Sequence, residues 1–150
     1  MSRFGGEGDT MAKDPKVERL RKTRLFARCS DRELAHIAAI ADEVTIEAGR
    51  EICKEGASAR ELIVIVEGTG DVTKEGIKVG EVEPGEAVGE VSLLLGGQRS
   101  ATVTTTTPMD LYVIDGRRFD SVLDESPTIM RAMLEALSHR LRDLDEAYTH

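Results

Sequence analysis

The pattern of apolar and polar residues divides the chain into helical ends and a β-rich middle. Apolar residues at helical spacing predict a short helix that starts at Pro15. Ser30 and Glu33 match a capping box and predict a second helix over about residues 31–41. Residues 1–13 carry too few apolar side chains to fold, so we expect a flexible N-terminal tail there.

Between the second helix and Ile114 the pattern changes to short strands separated by glycines. The predicted strands cover residues 43–47, 51–54, 62–67, 71–74, 78–82, 101–107 and 111–114. Many short strands with regular turns favour a rolled antiparallel sheet, because closure hides the strand edges. The sequence therefore predicts an α+β fold: an antiparallel, jelly-roll-like β-roll flanked by N-terminal helices and a long C-terminal helix.

The longest helical segment is predicted from Pro127 to about Tyr148, behind a short helix at residues 118–123. Its apolar residues follow heptad spacing, and they are Met130, Leu134, Leu137, Leu141, Leu144 and Tyr148. This seam is compatible with packing on the roll and with a parallel homodimer. We favour the homodimer, because the seam continues past the part of the chain that the roll covers.

Charge and composition narrow the classes of partner. A formal net charge of −8 argues against direct binding of nucleic acid, which requires a surplus of Lys and Arg. No apolar run is long enough for a membrane span and no signal peptide is apparent, so a cytoplasmic location is expected. Cys29 and Cys53 form no CxxC pair and no cluster with histidine, which predicts reduced thiols and no metal.

Residues 84–103 carry the polar groups that point to a ligand. A Gly89-Glu90 pair heads a short apolar run, and Arg99-Ser100 follows it. An arginine guanidinium donates charge-assisted hydrogen bonds to phosphate oxygens, whereas a carboxylate accepts them from sugar hydroxyls. Backbone N–H groups at the start of a short helix near Gly89 offer further donors. The segment therefore suits a phosphate with an adjacent ribose.

This segment resembles the phosphate-binding cassette of cyclic nucleotide-binding domains, a family that includes bacterial catabolite activators. The matching residues are Gly89, Glu90, Leu93, Arg99, Ser100 and Ala101. The resemblance extends over roughly residues 17–148, and residues 14–150 are expected to form the domain. Three residues depart from the common Phe, Ala and Pro of the cassette, namely Val88, Ser92 and Gln98.

The resemblance implies a non-enzymatic regulatory domain that binds cyclic AMP, with cyclic GMP as the second candidate, and that needs no cofactor. Arg99 would bind the phosphate and Glu90 the ribose 2′-hydroxyl, while the base would meet the final helix. The implied ligand-binding residues are Gly89, Glu90, Val91, Ser92, Arg99, Ser100, Leu144 and Asp145. Ligand binding would move the C-terminal helix and thereby regulate an effector domain or protein.

Two alternatives belong to other functional classes. In the first, Arg99 and Glu90 form an internal ion pair, the pocket is vestigial, and the C-terminal helix docks a protein partner. In the second, the chain is a metal-dependent enzyme of the cupin type, which shares a similar β-roll. The histidines lack the spacing of metal ligands, which argues against this enzyme.

Overall fold

The computed structural model describes residues 14–148, so the predicted tail at residues 1–13 lies outside the described residues. The helices are α1 (Pro15–Arg21), α2 (Asp31–Ala39), α3 (Glu90–Leu95), α4 (Gly116–Glu125) and α5 (Thr128–Tyr148). The strands are β1 (Ala41–Ile46), β2 (Glu51–Cys53), β3 (Glu61–Glu67), β4 (Gly70–Lys74), β5 (Ile77–Val82), β6 (Ala87–Val88), β7 (Thr102–Thr105) and β8 (Met109–Asp115). The predicted fold class, an antiparallel roll between helices, is confirmed.

The strands form two four-stranded antiparallel sheets. One sheet has the order β1-β8-β3-β6 and the other has the order β2-β7-β4-β5. Strands from distant parts of the sequence are therefore neighbours, as in β1 with β8, where Ala41 pairs with Ile114. The short strand β6, which leads into α3, pairs with β3 and so fixes the start of α3 to the first sheet.

Strand β3 separates two hydrophobic cores because both of its faces are buried. Leu62 and Val64 belong to a core formed with the helices. Ile63 and Ile65 point to the opposite face and belong to a second core inside the roll. The alternation of side chains along a strand explains why β3 is an unbroken apolar run rather than a polar–apolar pattern.

Helix α2 begins where the capping box predicted. The Ser30 backbone N–H donates to Glu33 Oε1 over 2.7 Å, and the Glu33 N–H donates to Ser30 Oγ over 3.2 Å. Helix α4 is longer at both ends than predicted. The Asp115 carboxylate accepts hydrogen bonds from the backbone of Arg117 and Arg118, which moves the start of α4 to Gly116.

Helix α5 packs on the first core mainly through residues outside the heptad seam. Ile129, Ala132 and Met133 are buried in that core, and Leu137 packs against it partly buried. The other described seam residues, Met130, Leu134, Leu141 and Leu144, are exposed. Packing on the roll therefore accounts for little of the seam, and the side chain of Tyr148 lies outside the described residues. Within residues 14–148, no helix is long and apolar enough to cross a membrane.

Candidate functional site

Helix α3 is held at its N-terminal end by a glycine in the left-handed conformation. Gly89 has φ +96° and ψ +23°, which L side chains rarely adopt. A Cβ on Gly89 would overlap Nη1 of Arg99 and would lie 2.7 Å from the carbonyl oxygen of Glu61. Glycine is therefore required both by the backbone angle and by the close approach of the Arg99 guanidinium.

The backbone on either side fixes Arg99. Its N–H donates to the Ala57 carbonyl over 2.8 Å, and its carbonyl accepts from the Gly56 N–H over 2.8 Å. The side chain is only 4% exposed. Its Nη2 lies 3.8 Å from Glu61 Oε1, beyond hydrogen-bond distance, and Nη1 has no hydrogen-bond partner among the described residues.

A buried guanidinium with an unpartnered nitrogen costs free energy. Polar groups removed from water are normally hydrogen-bonded, and an unsatisfied one costs about 1–3 kcal/mol, or more when it is charged. Such groups concentrate where a ligand supplies the missing partner. Arg99 therefore combines a long ion pair to Glu61 with a buried nitrogen that an anion could satisfy.

Arg99 faces a cavity of about 620 Å³, within the range of small-molecule sites. All the sequence-predicted ligand residues except Leu144 and Asp145 line it. Of the described lining residues, Arg99 is the only cation and Glu90 the only carboxylate. The cavity thus offers one group suited to a phosphate and one suited to hydroxyl groups.

Ser92 lines the cavity but already has an internal partner. Its hydroxyl donates to the carbonyl of Ala59, and the residue is buried. This hydrogen bond ties α3 to the loop before β3. Ser100, in contrast, is exposed beside Arg99.

The apolar wall of the cavity was missed by the sequence analysis. Val72 and Val103 are partners on neighbouring strands of the second sheet, and Val82 lines the cavity from the adjacent strand β5. Cys53 is buried in the same wall, where desolvation raises the pKa of its thiol. Alternation along the strands could have placed these side chains on the inner face, but not beside Arg99.

The structure does not bring Leu144 and Asp145 to this cavity. Leu144 lines a separate cavity of about 470 Å³ between α5 and the loop that joins α1 to α2. Asp145 is exposed on α5. Their predicted contact with a base therefore requires α5 to occupy another position.

The described part of the chain contains no group of three or more His, Cys, Asp or Glu side chains that could hold a metal ion. The cavity is instead lined by one cation, one carboxylate, small residues and valines.

Comparison with known proteins identifies the family of the chain. The sequence profile of the family described as the cyclic nucleotide-binding domain matches residues 43–126, more than half of the chain. The N-terminal domain of a transcriptional regulator from Streptomyces coelicolor A3(2) is 31% identical, with a TM-score of 0.75, over 89% of this chain and 95% of that one.

Two further structures share the fold. The regulatory domain of Toxoplasma gondii PKA, crystallised with cAMP, is 29% identical with a TM-score of 0.70, over 83% of this chain and 49% of that one. The catabolite activator protein of Thermus thermophilus is 22% identical with a TM-score of 0.70, over 83% of this chain and 61% of that one. The profile match and the first structure together show that the chain belongs to the cyclic nucleotide-binding domain family.

Proposed function

We propose that this domain binds cyclic AMP in the cavity beside Arg99 and that binding displaces α5, which in turn regulates a partner. The observation that carries the proposal is the buried Arg99 guanidinium, whose Nη1 has no hydrogen-bond partner among the described residues. A cyclic phosphate brings one delocalised negative charge and acceptor oxygens, which would satisfy that nitrogen and offset its burial.

The remaining groups of the cavity suit the rest of the nucleotide. Glu90 heads α3 and lines the cavity with Arg99, so its carboxylate can accept a hydrogen bond from a ribose hydroxyl. Val72, Val82 and Val103 offer an apolar surface to the ribose and base. Cyclic AMP is preferred to cyclic GMP because a relative that is 29% identical was crystallised with cAMP.

The signal would be a displacement of α5. Two side chains of α3 are largely exposed, Val91 at 69% and Leu95 at 82%, and Leu141 and Leu144 are exposed on α5. Closing α5 over the nucleotide would bury Val91 and Leu95 and bring Leu144 and Asp145 to the base. Leu93, which is fully buried in the core shared with α5, would couple the two helices. A ligand that binds the closed arrangement more tightly shifts the population toward it.

The same proposal includes a homodimer and a regulated effector in the cytoplasm. Three other exposed seam residues of α5, Met130, Leu134 and Leu141, would pair with a second copy in parallel. An effector would respond to the position of α5. No chemical step is proposed for the nucleotide, because binding energy alone can shift the helix populations.

The test is a calorimetric titration of the purified protein with cyclic AMP, cyclic GMP and non-cyclic 5′-AMP, beside Arg99→Ala. We expect saturable binding of cyclic AMP that weakens at least about 100-fold in the variant, because charge-assisted hydrogen bonds to the phosphate are lost. Wild-type protein that binds neither cyclic nucleotide would contradict the proposal. It would favour a vestigial pocket and a protein partner for α5.

A further inference from the structure

The residues just before and at the start of β3, Ala59, Arg60 and Glu61, each contact the cassette. The Ala59 carbonyl accepts from Ser92 Oγ. Glu61 Oε1 lies 3.8 Å from Arg99 Nη2. Between them, Arg60 Nε donates to the Leu93 carbonyl over 2.8 Å. This short segment therefore contacts both helix α3 and Arg99.

Arg60 also reaches α4. Its Nη1 and Nη2 donate to the two carboxylate oxygens of Asp120 over 2.7 and 2.6 Å, which is a bidentate pair. The same side chain crosses the start of α4 at Gly116, where a Cβ would lie 2.6 Å from Arg60 Cγ. The Gly116 N–H donates to the Arg60 carbonyl over 2.9 Å. Arg60 thus packs closely against the first turns of α4.

The Leu93 carbonyl lies in the last turn of α3, where carbonyls lack helical partners. The Arg60 guanidinium donates a charge-assisted hydrogen bond to this carbonyl through Nε. Asp120 binds the other edge of the same guanidinium. The guanidinium is planar and rigid, so a shift of the Leu93 carbonyl must either tilt the Asp120 pair or break one of these hydrogen bonds. The hydrogen bonds from Arg60 also lower the pKa of the Asp120 carboxyl.

We propose that Arg60 is the positioning residue that links cassette helix α3 to α4, and through α4 to α5. The proposal rests on the proposed function, since a nucleotide is what would displace α3. Arg60 is not among the described residues that line the cavity beside Arg99, and it would act through the Leu93 carbonyl and Asp120. Lysine cannot replace it, because one ammonium cannot present a rigid fork to both partners.

The first test needs no nucleotide. Asp120→Asn removes the charge that holds the far edge of Arg60 and changes no group in hydrogen-bond contact with α3. The matched control is Arg118→Ala, which removes an exposed α4 ion pair with Asp42 at 3.3 Å that is remote from the cassette. Amide hydrogen exchange of α3 and of Gly96 is measured by NMR on the intact chain.

We expect exchange in α3 to accelerate about fivefold in Asp120→Asn and to stay unchanged in Arg118→Ala. Arg60→Lys, which keeps the charge, should behave like Asp120→Asn. Equal exchange rates of α3 in wild type, Asp120→Asn and Arg60→Lys would overturn the link.

The second test measures the response to nucleotide. Spin labels at Ser138→Cys on α5 and Glu47→Cys on the roll report the displacement of α5, and both positions are exposed. With cyclic AMP, Arg60→Lys should bind within about threefold of wild type but should lose at least about half of the displacement. An unchanged displacement would overturn the link. Wild-type protein that fails to bind cyclic AMP would refute the proposed function, whereas the exchange experiment would still decide the link.

Discussion

Replacing Gly89 by alanine tests the geometry of the cassette directly. The substitution forces an L side chain into a backbone with φ +96°, which costs about 1–2 kcal/mol of unfolding free energy. The new Cβ would also overlap Arg99 Nη1 and lie 2.7 Å from the Glu61 carbonyl oxygen. Overpacking of this kind costs about 1–3 kcal/mol more. We therefore expect a total loss of about 2–5 kcal/mol.

Gly76→Ala separates the two contributions. Gly76 lies in the turn between β4 and β5 with φ +80°, and a Cβ there would meet nothing within 4 Å. This variant should lose only the conformational contribution of about 1–2 kcal/mol. Urea denaturation of wild type and both variants gives the unfolding free energies. Any excess loss in Gly89→Ala then measures the contact with Arg99 and Glu61.

Nucleotide binding should distinguish the same two variants. Displacing the Arg99 guanidinium should weaken cyclic AMP binding about 10- to 100-fold in Gly89→Ala, because the hydrogen bonds to the phosphate lose their geometry. Gly76→Ala should bind as wild type does. If both variants lost the same stability and bound nucleotide equally well, the reasoning about Gly89 and Arg99 would be refuted.

Three further predictions concern other parts of the molecule. Cyclic AMP should slow the alkylation of Cys53, which lines the cavity, but not that of Cys29, which lies in the other core. Both thiols should react slowly at neutral pH even without nucleotide, because burial raises the pKa of Cys53 and raises that of Cys29 to about 12. Ser30→Ala should destabilise the protein by about 1 kcal/mol in urea denaturation, because α2 loses its capping hydrogen bond. Leu141→Asp should give a monomeric mass in light scattering without lowering stability, because Leu141 is exposed on the proposed dimer face of α5. A wild-type mass that is monomeric at all concentrations would contradict the dimer.

Helix α2 and strand β3 could be predicted because the residues that determine them are adjacent in the sequence. The Ser30 and Glu33 side chains cap α2 by their own hydrogen bonds, and the apolar run of β3 is buried on both faces. Both features can be read within a few residues of sequence. Strand β6, at Ala87–Val88, was missed because two residues carry no periodicity and are defined only by pairing with β3.

The candidate site was predicted in its motif but not in its surroundings. Gly89, Glu90 and Arg99 lie within one segment of sequence, so their spacing was visible. The pairing of Arg60 with Asp120 joins residues 60 positions apart, and no local pattern connects them. The sequence also could not show which face of α5 is buried, because that face depends on the core formed with α1, α2 and α4.

The most direct test of the account is urea denaturation of wild type and Arg99→Met, each with and without saturating cyclic AMP. The Arg99 side chain is buried, its ion pair with Glu61 is long at 3.8 Å, and Nη1 has no hydrogen-bond partner among the described residues. Its replacement by an apolar residue should therefore leave the unfolding free energy without nucleotide within about 1 kcal/mol of wild type, or raise it. Cyclic AMP at about 100 times the wild-type dissociation constant should add about 2.7 kcal/mol to wild type and at most about 0.4 kcal/mol to a variant that binds at least about 100-fold more weakly. A variant that is markedly destabilised, together with a wild type that gains nothing from cyclic AMP, would make Arg99 a structural residue and would contradict the account.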